Sequence, residues 1–209
     1  MSADDVTQLV LGERQSRDRG RYDQTAECFA EESVVEMSWF QGSGADFVRE
    51  TRGMAGRGDH AVHRLGPPTV HVLGDRALAE LPLIIEWRVD ISGVAADLAT
   101  SCRSQYRAQR GADDVWRIVR ITSIYEKDTL TPALPHTRLD IDPLELTAYR
   151  PSYRCLAWYM NRNGYRIGPN HLGDDQPEAV ARQYQAEMTW LHESRTPAAT
   201  ANVRREQQS

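Results

Sequence analysis

The run from Arg76 to Tyr125 constrains this chain more than any other stretch. It holds three segments rich in Val, Ile, Thr, Trp and Tyr, at Arg76–Asp90, Val94–Ala108 and Val115–Tyr125. Turn chemistry separates them, first at Ser92-Gly93 and then in the acidic segment Arg110–Asp114. Runs of this texture, punctuated this way, spell a β-meander. Strands this long must twist, and a twisted sheet that also curls encloses a hollow. That hollow is the expected seat of function.

The segments upstream alternate in type. Ser2 followed by Asp5 reads as a helix N-cap with its reciprocal acid, and Val6, Leu9, Val10, Glu13 and Arg17 fall on one helical face that Gly20 terminates. Asp23 is placed to cap a short second helix over Gln24–Ala30, with Ala26 and Phe29 inward. Ser33–Trp39 alternates as a strand, its Val35, Met37 and Trp39 phase toward the hollow and its Val34, Glu36 and Ser38 phase toward water. The segment Phe40–Gly44 reads as a loop, and Ser43 as the cap of a third helix over Gly44–Ala55. His60–Leu73 reads as a strand interrupted at Pro67-Pro68, hence an edge or a bulge, because proline cannot donate to a ladder. Helix, helix, strand, helix and then four strands predict an α+β domain, with helices on one face of a curled, mainly antiparallel sheet.

After Tyr125 the texture changes. Pro132, Pro135 and Pro143 mark an irregular connection; Ser152 is placed to cap a helix over Tyr153–Asn163 that ends at Gly164. Asp175, with Pro177 in the first turn, is placed to cap a last helix reaching about Glu193, with Val180, Tyr184, Met188 and Leu191 as its apolar stripe. The expected division is a domain over 1–130, a helical extension over 131–195 that serves as core cover, dimer contact or lid, and a disordered tail over 196–209.

Composition narrows the partners. With 25 basic and 30 acidic side chains the net charge is −5, which argues against nucleic acid. No stretch approaches the roughly 20 apolar residues of a membrane span, and the acidic opening lacks a signal pattern, so a cytoplasmic protein is expected. Cys28, Cys102 and Cys155 are far apart and odd in number, as reduced thiols of such a compartment are. The six histidines have no ligand spacing and no phosphate-binding loop is present, so neither a metal nor a cofactor is expected.

Three stretches, Arg17–Met37, His63–Glu80 and Val115–Pro132, resemble the SnoaL-like branch of the NTF2-like superfamily, a likeness that covers roughly residues 3–130. The group includes polyketide cyclases, scytalone dehydratase, ketosteroid isomerase, bile acid dehydratase and hexachlorocyclohexane dehydrochlorinase. The resemblance implies a cone-shaped barrel. It also implies that Asp18, near the end of the first helix, meets His63, at the start of the strand after the third. An imidazole with a carboxylate on one nitrogen keeps the other free to accept a proton. Relatives often carry Tyr or Lys where this chain has Glu13; a carboxylate there is either a second acid or base, a group that binds an amine or hydroxyl, or an exposed helix residue. The acid placement of ketosteroid isomerases has no counterpart here.

Strand phase then assigns the wall: Leu81, Leu83 and Ile85, then Cys102, Ser104 and Tyr106, then Ile121, Ser123 and Tyr125. Such a wall suits a small hydrophobic or aromatic ligand, with Glu13, Met37, Trp39, Leu83, Tyr106 and Tyr125 as candidate contacts. The expectation is a cofactor-free lyase, isomerase or cyclase, active as a homodimer, with Asp18 and His63 as the catalytic pair. Two other classes fit the same chain: a non-catalytic small-molecule binding or assembly module, and the small subunit of a hetero-oligomeric oxygenase.

Overall fold

A computed structural model of the chain describes residues 3–193. Ser2, expected to cap the first helix, and the tail over 196–209 lie outside the described residues. The elements run α1 (Ala3–Asp18), α2 (Tyr22–Glu27), β1 (Phe29–Met37), β2 (Phe40–Ser43), α3 (Gly44–Gly56), β3 (Val62–Leu65) and β4 (Thr69–Leu73). The meander follows as β5 (Arg76–Ile91), β6 (Val94–Arg110) and β7 (Trp116–Pro132), and then α4 (Pro143–Thr147), α5 (Arg154–Arg162) and α6 (Pro177–His192).

The strands form one sheet in the order β2-β1-β7-β6-β5-β3, with β4 also on β5. Every pairing is antiparallel except β1 with β7. The resemblance implied a barrel; the sheet instead curls without closing, and β2 and β3 end it unpaired with each other. The β5–β6 hairpin turns through Ser92 and Gly93, both at positive φ, the backbone that the right-handed twist of two long strands favours. A proline sits inside β5 at a place where it costs no ladder bond. β3 pairs with Leu83–Glu86 and β4 with Arg76–Glu80, so Pro82 faces the gap that Pro67-Pro68 opens between them, and its carbonyl accepts from Gly66 N–H at 2.8 Å.

Several local expectations are corrected. α2 begins at Tyr22 and ends at Glu27, so Phe29 and Ala30 already belong to β1; Asp23 makes no cap, and Thr25 rather than Ala26 is buried. The segment after Trp39 is a short strand paired with β1, because Ser38 and Trp39 form the hairpin turn. Ser38 is therefore buried rather than wetted. β7 extends seven residues past Tyr125, and the proline-marked connection contains the short helix α4, capped by Asp142. Ser152 and Asp175 cap neither late helix, since their side chains bond each other and Arg150. On α6 the buried residues are Val180, Glu187 and Leu191, whereas Tyr184 and Met188 are exposed.

The two faces of β6 explain how the extension sits. Cys102, Ser104 and Tyr106 point toward α1 and are buried. The alternate phase, Arg103, Gln105 and Arg107, bonds Tyr184, Gln183 and Glu187 of α6 on the opposite face. α5 turns back to the concave side. A bulge in the β6–β7 ladder skips Glu126 and keeps Tyr125 opposite Cys102; beyond the last β1 partner, at Thr122, the Tyr125 backbone also pairs with the extension, donating to Leu172 and accepting from Asp174, each at 2.9 Å.

Candidate functional site

α1 ends in a Schellman turn. Arg21 N–H reaches Ser16 carbonyl at 2.8 Å and Gly20 N–H reaches Arg17 carbonyl at 3.1 Å, with Gly20 at φ 69°. This fixed stop leaves Asp18 as the last helical residue, beside the start of β3. Its Oδ2 accepts His63 backbone N–H and its Oδ1 accepts from His63 Nδ1, both at 2.7 Å. On the other side of the ring, Arg17 Nη2 lies 3.1 Å from His63 Nε2. A guanidinium can only donate, so Nε2 must be the acceptor and the imidazole proton sits on Nδ1, facing the carboxylate. Burial and the positive charge of Arg17 push His63 down to about 3, against the pull of Asp18. Burial works against the Asp18 carboxylate, but its bonds to His63 outweigh that and hold it below the usual range. The pair therefore rests as a neutral imidazole on a carboxylate.

A cavity of about 80 Å³ opens beside this pair. Met37, Trp39, Leu83, Cys102 and Tyr125 contribute to its wall from the sheet and its turn, along with Ile85, Ser104 and Ser123. α3 adds Met54, the loop after it His60, and α5 closes the far side with Leu156 and Met160. Tyr125 is anchored by accepting Ser38 N–H at its hydroxyl, 3.0 Å away. Burial pushes the Cys102 thiol up to about 12, so it remains protonated packing. Among the described residues no three His, Cys, Asp or Glu side chains cluster as metal ligands.

Two expected ligand contacts, Tyr106 and Glu13, stand off the cavity. Tyr106 is fully buried and off the cavity; its hydroxyl donates to Glu13 at 3.2 Å and accepts from Arg14 Nε at 2.6 Å. Glu13 is neither exposed nor on the wall, but fully buried behind Arg14 and Arg17. Leu81 and Ile121 likewise belong to the solid core. The residues missed from sequence are Arg14 and Arg17, which both face the cavity. Their signal was present: they continue the Val6, Val10, Glu13 face, and a charged run on a core-facing stripe marks a buried polar network rather than a solvated end.

Arg14 and Arg17 both reach Glu13, at 3.2 and 3.6 Å, while Asp18 pairs with His63. Burial lowers Arg14, but Tyr106 and Glu13 outweigh it and the net shift is upward. Arg17 goes the other way, because burial and neighbouring Arg14 both disfavour its charge.

A curled mixed sheet with helices closing its concave side and a histidine–carboxylate pair in the hollow defines an α+β cone fold of the NTF2-like kind. The chain belongs to the SnoaL-like domain family, whose model matches residues 2–122. It is 27% identical to a PEP2-like protein of Fusarium vanettenii over 158 residues, 70% of this chain and 66% of that protein. It is also 27% identical to pea pathogenicity protein 2 of the same organism over 155 residues, again 70% and 66%. The chain thus spans just under two thirds of the length of these relatives. Its fold is similar to that of a type 2 hexachlorocyclohexane dehydrochlorinase, with a TM-score of 0.52 and 9% identity over 65% of this chain and 93% of that one.

Proposed function

We propose that the protein is a cofactor-free lyase or isomerase in which His63, oriented by Asp18, moves a proton on a small hydrophobic substrate held in the cone. The observation that carries this reading is the double grip of Asp18 on His63 at the cavity wall. One carboxylate oxygen fixes the strand and the other fixes the ring, so the ring's unprotonated nitrogen, Nε2, is the one turned toward Arg17 at the cavity wall. Met37, Trp39 and Leu83 give part of the cavity an apolar lining, which suits a hydrophobic substrate. A family that contains dehydratase- and cyclase-type enzymes is consistent with such chemistry but does not fix it.

A second reading is favoured by size. At about 80 Å³ the cavity is well below the ~300–1,000 Å³ common for small-molecule sites, as a binding or assembly module with a nearly filled cone requires. Hydrogen–deuterium exchange at carbon separates the two. The protein is incubated in D2O with a panel of small cyclic ketones and β-hydroxy ketones, followed by NMR. A catalytic His63 gives exchange or water loss that His63→Ala abolishes; exchange that survives in His63→Ala refutes the assignment, and binding without exchange favours the module.

A further inference from the structure

Arg17 is a buried cation with an unmade hydrogen bond. Its side chain is 6% exposed, yet among the described residues its guanidinium makes one hydrogen bond, to His63 Nε2. Its Nε has no hydrogen-bond partner, and the nearest Glu13 oxygen is 3.6 Å away, in ion-pair range but too long for a bond. A buried guanidinium with one hydrogen bond and an Nε left without a partner is unusual, since buried polar groups are almost always paired. Arg14, three residues earlier, is not anomalous: Tyr106, Ser104 and Glu13 occupy it. The Arg17 guanidinium stacks on the Phe47 ring, 5.1 Å from its centroid, and faces the cavity. It is held in place but short of acceptors.

The one acceptor it has is the wrong one for catalysis. While Arg17 donates to Nε2, the lone pair needed by a general base is in use, and a proton arriving there would sit against a positive charge. We infer that Arg17 is the substrate's oxygen-binding residue: it takes the carbonyl or carboxylate oxygen of a compact apolar substrate in exchange for His63 Nε2, and so releases the base only when substrate is present. This rests on the general-base reading of His63.

The 3.1 Å between the two groups makes the exchange productive. With that oxygen bonded to Arg17, the carbon α to the carbonyl is brought next to Nε2. The carbon–hydrogen bond breaks, its proton goes to Nε2, and its electron pair moves into the carbonyl to give an enolate oxygen on Arg17. Where the substrate carries a β-hydroxyl, the enolate collapses back to the carbonyl, a carbon–carbon double bond forms, and the departing hydroxide takes the proton from Nε2 and leaves as water. The titratable and charged groups that line the cavity with His63 are Asp18, Arg17 and Arg14 from α1, Tyr22 from α2, Asp59 and His60 from the loop before β3, and Cys102 and Tyr125 from the sheet.

The test uses the full chain and the anions formate, acetate, propionate and benzoate, each against its neutral amide. Binding is measured by calorimetry, and the His63 ring nitrogens by ¹⁵N NMR. At least one carboxylate should bind about tenfold or more tightly than its amide, and shift the Nε2 resonance as the Arg17 bond is lost. Arg17→Met should remove that preference, and Arg17→Lys, which keeps the charge and a core-compatible stem if the Met variant does not fold, should weaken it. Equal binding of acid and amide, an unmoved Nε2 signal on binding, or an unchanged preference in both variants would overturn the proposal. The outcomes separate from those for His63: carboxylate preference that depends on Arg17 while His63→Ala retains exchange sinks the base, not the oxygen site.

Discussion

Asp18 holds His63 at two points, its Oδ2 on the backbone N–H and its Oδ1 on Nδ1, each at 2.7 Å. A single carboxylate at the end of α1 thus fixes both where β3 starts and how its imidazole is turned. Because Arg17 donates to the far nitrogen, both Asp18 oxygens must act as acceptors. Asp18→Asn would turn one of them into a donor facing a donor. We expect a loss of about 2–3 kcal/mol in urea denaturation, the range for hydrogen bonds to a charged group left unmade. A variant as stable as the parent would show that the two contacts contribute nothing net.

Stability should depend on pH through the same pair. His63 sits at about 3 when folded against 6.5 for a free imidazole. Above 6.5 it is neutral in both states and contributes no slope. Below 6.5 the unfolded chain binds a proton that the folded chain refuses, so stability falls as pH drops toward 3, by at most about 1.4 kcal/mol per pH unit. Asp18, depressed when folded, stabilises above the ordinary carboxylate range and adds its loss only at the acid end. His63→Gln should flatten the profile between pH 6.5 and about 4 in denaturant titrations; parallel curves for the two proteins would contradict the buried neutral imidazole.

The helix that carries Phe47 and Met54 to the site depends on one hydroxyl. Ser43 Oγ accepts Asp46 N–H at 3.1 Å and also donates to the Asp46 carboxylate at 2.9 Å. Ser43→Ala should cost about 1 kcal/mol, read as a lowered thermal midpoint. An unchanged midpoint would mean that α3 is held by packing alone.

Gly44, the next residue, is constrained by space rather than by φ. A Cβ there would lie 2.6 Å from the Phe29 ring and 2.5 Å from Ser33 Oγ, both buried. Gly44→Ala should destabilise by about 1–3 kcal/mol, the usual range for overpacking, and disturb the tilted stack of Trp39, Phe40 and Phe47 enough to change tryptophan fluorescence.

The extension over 131–195 is proposed as part of the working site rather than an appendage, because α5 supplies Leu156 and Met160 to the cavity. Leu156 is 2% exposed, and its N–H donates to Asp128 of β7 at 2.8 Å. Leu156→Ala should cost about 2–5 kcal/mol and enlarge the cavity enough to bind a hydrophobic dye. A stable variant that stays dark to the dye would return α5 to the role of surface cover.

Sequence alone determined the meander, the proline break, the Ser43 cap and the stop at Gly20, because strand alternation, ring geometry and helix-end chemistry act within a few residues of chain. It also placed Asp18 and His63 near each other by likeness to a family. Tertiary structure alone decided that Ser38 and Trp39 turn rather than extend, that the sheet stays open, and that Tyr106 and Glu13 stand behind the wall instead of on it. Above all it decided what lies on the far side of the imidazole. Arg17 reads on the helix as one more polar residue; its meaning comes from a strand 46 positions away, and no local pattern encodes which buried cation will meet which nitrogen across a fold.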